Sequence, residues 1–140
     1  MRVLIATAAA ALLAGCAAPS TLGEAVLAPS SRLLGYQKED KGNDATVTVV
    51  REGDVNGAGC LFAVFVDGEL VARLAGGEKA RFYLKPGRKL MGVGMDPQAT
   101  GRCAGSSRFK REVATWISVG ENQIFRIAFQ PMLDIRPSSY

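Results

Sequence analysis

The stretch that most limits what this chain can fold into is CLFAVFVDGELVARL, residues 60–74. Its seven leading apolar residues put Phe62, Val64 and Val66 on one side of a strand and Leu61, Ala63 and Phe65 on the other. Such a strand has to be central in a sheet or covered on both faces. Asp67-Gly68 then predicts a two-residue type I′ hairpin, because that turn needs positive φ at both central positions and glycine tolerates it. ELVARL supplies the returning strand.

The remaining chain repeats the pattern of short strands and turn signals, and no segment sustains a helical period. ATVTVVR alternates Thr46 and Thr48 with Val47 and Val49, as a half-buried strand does. ARFYL sets Phe82 and Leu84 against Arg81 and Tyr83. Lys85-Pro86-Gly87-Arg88 suits a type II turn and implies a second hairpin, leading into the glycine-softened KLMGVGM. Asp96 to Ser107 reads as a surface loop. Two last strands, about residues 108–119 and 123–130, flank Gly120-Glu121-Asn122. Seven strands without helices predict an all-β fold, a seven-stranded antiparallel sandwich of prealbumin or immunoglobulin type over residues 44–140. Trp116 is expected in its core, with an exposed carbohydrate or partner platform as the alternative, and PMLDIRPSSY at the end either adds an edge strand or trails free.

The chain opens MRVLIATAAAALLAGC: a cation at Arg2, an apolar run from Val3 to Leu13 and small residues before Cys16. A run of about eleven apolar residues is too short to span a bilayer as a helix, which takes about 20, so it reads as an export signal over residues 1–15. Leu13-Ala14-Gly15-Cys16 resembles the lipobox of bacterial lipoproteins, whose processing acylates the cysteine sulfur and cleaves before that residue. The resemblance implies that Cys16 is the lipidated N-terminus. Ala17 and Ala18, in place of an aspartate, favour the inner leaflet of the outer membrane, facing the periplasm. Residues 16–43, rich in Ala, Pro, Ser, Gly and charge, are expected to form the tether, with an r.m.s. span of order 30 Å if flexible. Ser31 to Gln37, carrying Leu33, Leu34 and Tyr36, has the composition to dock on the domain instead.

With Cys16 assigned to lipid, Cys60 and Cys103 remain as an even pair in an oxidising compartment. A disulfide between them would close a loop of about 44 residues and contribute roughly 4 kcal/mol in the chain-entropy model.

The stretch VFVDGELVARLAGGEKARFYLKPGRKLMGV, residues 64–93, runs V-x-V-D-G, V-A-x-L, a G-E turn, an aromatic strand and L-x-P-G. This order resembles the PEGA-like and prealbumin-like modules of small bacterial envelope lipoproteins. Asp67-Gly68, Gly77-Glu78 and Pro86-Gly87 match that family's successive turns. The resemblance implies a fold and carries no catalytic set.

The length of 140 residues and formal charge of +4 fit one small, mildly basic domain without the dense cationic stripe of a nucleic-acid binder. No histidine is present, which removes the commonest general base and transition-metal ligand. Neither metal nor cofactor is expected, and the chain is expected not to be an enzyme. Arg102, Arg108, Lys110 and Arg111 form a candidate patch for lipid phosphates or an acidic partner. Asp40, Asp44, Asp54, Asp67 and Asp96 fall in predicted turns, where aspartate caps its own backbone. The expected role is a lipid-anchored periplasmic binding or scaffolding module with an envelope protein as partner. The alternative is an inhibitor of a lysozyme-type cell-wall-degrading enzyme, using the Asp96 to Ser107 loop as a plug.

Overall fold

The computed structural model describes residues 24–53, 59–105, 109–129 and 131–139, and over them the chain is all-β, with two short 3-10 turns and no α-helix. The strands are β1 (Val26–Leu27), β2 (Ala45–Arg51), β3 (Phe62–Val66), β4 (Glu69–Leu74), β5 (Glu78–Leu84), β6 (Gly87–Met95), β7 (Lys110–Ile117), β8 (Asn122–Phe129) and β9 (Leu133–Ser138). They form two sheets. Sheet A has the order β1-β5-β2-β8-β9 and sheet B the order β4-β3-β6-β7.

The sandwich expected from the sequence is present with nine strands rather than seven. The seven predicted strands correspond to β2 through β8. The extra two come from the segments read as tether and tail: β1 lies parallel to β5, and β9 pairs antiparallel with β8. Nor is the fold purely antiparallel, because β2 and β8 run parallel through six register pairs, from Thr46↔Asn122 to Arg51↔Ile127. Asp67 and Gly68 take φ of 49° and 83°, as the predicted hairpin between β3 and β4 requires. Pro86-Gly87 does not make a hairpin. β5 belongs to sheet A and β6 to sheet B, so this turn carries the chain across the sandwich. A local turn reverses direction either way, and only the distant partners decide which sheet the next strand joins.

Inward parity builds the core. Val47, Val49, Phe82 and Phe125 of sheet A face Phe62, Val64, Met91 and Ile117 of sheet B, all fully buried. Trp116 departs from expectation: it is 69% exposed, since Ile117 takes the inward position and Trp116, opposite Arg88, the outward one. β3 lies between β4 and β6, as its two apolar faces predicted. On its outer side Phe65 lies against Gly92 and Gly94. A Cβ added at Gly94 would stand 2.8 Å from the Phe109 carbonyl oxygen and 3.3 Å from the Phe65 ring. Gly94→Ala should therefore cost about 1–3 kcal/mol in thermal or urea unfolding, as overpacking does.

Residues 28–37 close one side of the sandwich. Ala28 donates to the Lys79 carbonyl, Leu34 to the Val71 carbonyl of β4 (2.8 Å), and Tyr83 of β5 donates to the Tyr36 carbonyl (2.9 Å). Arg32 forks onto Glu78 at 2.6 and 2.8 Å and also reaches the Arg73 carbonyl. The docking alternative for Ser31 to Gln37 is thus the arrangement observed. These bonds cover edges that would otherwise be open on β4 and β5.

The opposite ends of the sandwich differ. At one, the ends of β2, β4, β6 and β8 meet the starts of β3, β5, β7 and β9, and here Cys60 and Cys103 form the expected disulfide, with Cα atoms 5.3 Å apart. Arg51, only 1% exposed, continues the inward parity of Val47 and Val49. Its Nη1 donates to the Cys60 carbonyl (2.6 Å) and the Leu74 carbonyl (2.7 Å), and its guanidinium stacks 3.7 Å from the Phe62 ring centroid. Nearby, Asp96 is 5% exposed and accepts both from the Arg73 guanidinium and from the Gln98 amide.

Burial works against ionisation of Asp96, but the Arg73 guanidinium and the Gln98 N–H outweigh it and hold the carboxyl below its usual range. A carboxylate with a depressed native pKa contributes stability above its unfolded value, near 3.9, and loses it as pH falls through the native one. Asp96→Asn should therefore lower stability at neutral pH and flatten the loss below about pH 4, read from denaturant midpoints across pH.

Candidate functional site: a donor-lined groove on sheet A

Parity also decides what the outer face of sheet A carries. Tyr83, Thr46 and Asn122 align in one register row, and Arg81, Thr48 and Ile124 in the next. Beside this face the returning segment, bonded along the edge of β5, raises a wall that brings in Leu27, Leu33 and Gln37. Between wall and sheet runs a groove of about 490 Å³, also lined by Thr48, Lys79, Arg81, Tyr83 and Asn122.

The groove is built from groups held in place. Gln37 donates its amide to the Gly35 and Arg81 carbonyls, 3.0 Å each, which fixes the wall to β5. The Thr46 hydroxyl donates to Asn122 Oδ1 at 2.9 Å, which leaves the Asn122 amide N–H groups as donors. Tyr36 takes a φ of 56°, uncommon for an aromatic residue. That conformation turns its carbonyl toward Tyr83. Its hydroxyl meets Glu69 at 3.2 Å, and burial together with the Glu69 and Asp67 carboxylates pushes its pKa up, so the phenol stays protonated. Arg81 is exposed and has no ion-pair partner among the described residues.

Among the described residues that line it, none is acidic. The Arg81 guanidinium, the Tyr83 phenol, the Thr48 hydroxyl and the Asn122 amide around one cleft suit a ligand that is anionic and bears hydroxyl or carbonyl oxygens. Leu27 and Leu33 offer an apolar edge beside them. Among the described residues no group of three or more Cys, Asp or Glu side chains is placed to hold a metal ion.

Fold and groove together define a two-sheet β-sandwich with a lateral, donor-lined cleft. Comparison of the chain with protein-family models, with curated proteins and with solved structures finds no match.

Of the residues singled out in the sequence, Cys16, Asp54 and Arg108 lie outside the described residues. Arg102 sits in the 3-10 turn Gly101–Cys103 beside the disulfide. Lys110 and Arg111 are neighbours in a strand and so point to opposite faces. Lys110 lies 4.8 Å from the Phe65 ring centroid and pairs with Glu112, whereas Arg111 reaches across to Asp134 of β9 at 3.8 Å. The Arg136 guanidinium, with smaller help from the Ile135 amide and Arg111, keeps the Asp134 carboxyl below its usual range. The three described cations therefore share one end of the sandwich rather than one face. The loop expected to act as a plug is clamped at Asp96 by Arg73 and at Cys103 by the disulfide.

The groove itself was not foreseen. Arg81 and Tyr83 were legible as one face of their strand, but Asn122 joins them only through the parallel pairing of β2 and β8.

Proposed function

We propose that this chain is a non-catalytic, lipid-anchored binding module of the bacterial cell envelope, held at the inner leaflet of the outer membrane through Cys16. Its sheet A groove takes an oxygen-rich anion from the periplasm, presented by an envelope partner. The observation that carries the reading is Arg81: an exposed guanidinium in a cleft whose described lining offers hydroxyl and amide donors and no carboxylate. Charge-assisted bonds of that kind are about twice as strong as neutral ones. The leader and lipobox-like LAGC support the address, and the Asp67-Gly68 hairpin supports the PEGA-like, prealbumin-like assignment of the sandwich.

The anchor is tested by feeding cells a labelled fatty acid. The native chain should take up label and Cys16→Ser should not. The groove is tested by titration with soluble cell-wall fragments, which carry carboxylates and sugar hydroxyls. Arg81→Glu should weaken their binding by at least about tenfold, or 1.4 kcal/mol. Equal binding by native chain and variant would remove the groove from the proposal.

A further inference from the structure

The disulfide end of the sandwich carries a second concavity, unlike the first. It measures about 310 Å³, and the described residues that line it, among them Met95, Phe109, Phe129, Pro131, Met132 and Leu133, include no charged side chain. Pro131 and Met132 stand at its lip in the turn between β8 and β9, and Met132 is 55% exposed. Lys110 and Arg111 follow Phe109 directly at the same end, and Arg111 is exposed over 55% of its side chain. An apolar tip with cations behind it is the arrangement that lets a protein seat itself in the headgroup region of an anionic bilayer.

The way the chain leaves the domain selects this end. β1 runs parallel to β5 and pairs Val26 with Glu78, the first residue of β5, so residues preceding Val26 depart toward the disulfide end. Cys16 lies eight residues before Glu24. Fully stretched, those residues span about 28 Å. β6, with nine residues, measures about 30 Å along the sandwich. To turn its opposite end, with Trp116 and Val119, onto the leaflet, the domain would need its tether drawn straight over about its whole length. The disulfide end is reached without that extension.

We infer that the disulfide end docks on the leaflet that holds the lipid anchor, with Met132 and Pro131 entering the headgroup layer and Arg111, whose long ion pair with Asp134 leaves its side chain 55% exposed, facing lipid phosphates. This rests on acylation of Cys16. Docked this way, the domain carries its sheet A groove sideways, along the membrane surface.

The test uses the full acylated protein in vesicles of phosphatidylethanolamine and phosphatidylglycerol with brominated acyl chains. Trp116 is the one tryptophan of the chain. In the native protein its emission should be unaffected by bromine. In the Trp116→Phe, Met132→Trp variant the introduced indole should be quenched and blue-shifted. Amide exchange on the native protein should slow at Met132 and Leu133 when vesicles are added and stay unchanged at 118–121. Quenching of Trp116, or no quenching of the indole at position 132 in protein that floats with the vesicles, would overturn the docking. Protein that carries no fatty acid by mass and does not float would instead overturn the anchor, and the docking with it.

Discussion

Cys103→Ser should lower the free energy of unfolding by about 4 kcal/mol, the loop-closure entropy of a crosslink between residues 43 positions apart. For a domain of this size that corresponds to a fall in melting temperature of roughly 20 °C. The Cys60→Ser, Cys103→Ser double variant should lose a similar amount, since either change opens the same loop. Calorimetry of the oxidised protein and both variants checks this. A loss below about 1 kcal/mol would mean that the unfolded chain is already held compact without the crosslink.

Arg51→Met is the second large effect, about 3–5 kcal/mol. Methionine nearly preserves the volume but leaves the Cys60 and Leu74 carbonyls without their donor, at about 1–3 kcal/mol each. It also loses the cation stacked on Phe62. Relief from burying a charge offsets part of this, which is why the estimate stays below the sum. Arg51→Lys should fall between, because one ammonium can still donate to both carbonyls but lacks the planar face that stacks on Phe62. Urea midpoints measure all three. Since the carbonyl bonded by Arg51 belongs to one of the crosslinked cysteines, Arg51→Met combined with Cys103→Ser should cost less than the two losses added.

These two predictions differ in how far the sequence alone could have reached them. The cysteine pairing follows from counting thiols after Cys16 is set aside. Arg51 was within reach too, since it continues the Val47, Val49 parity, but a charged residue at a strand end is ordinarily solvated and only the closing of β3 and β4 over it makes it internal. Strand existence and the first hairpin were legible from alternation and from Asp67-Gly68. Sheet membership was not, because Pro86-Gly87 looks the same whether the next strand pairs with its predecessor or crosses to the other layer. Trp116 was placed inside on hydrophobicity alone, whereas its neighbour Ile117 holds the inward parity. The groove depends on Gln37, Arg81 and Asn122, three segments that converge only in the assembled fold.

The parallel pairing of β2 with β8 has a consequence for the order of events in the life of the chain. Thr46 bonds Asn122 across 76 positions, and every contact between these two central strands of sheet A has a similar reach. Such non-local pairing folds slowly, because the loop-closure entropy is spent before the contacts return it. The first half of the domain cannot complete its sheet until residues beyond 122 have been released. A chain that must wait in this way stays open and extended until its C-terminal strands are available, and only then closes both layers together.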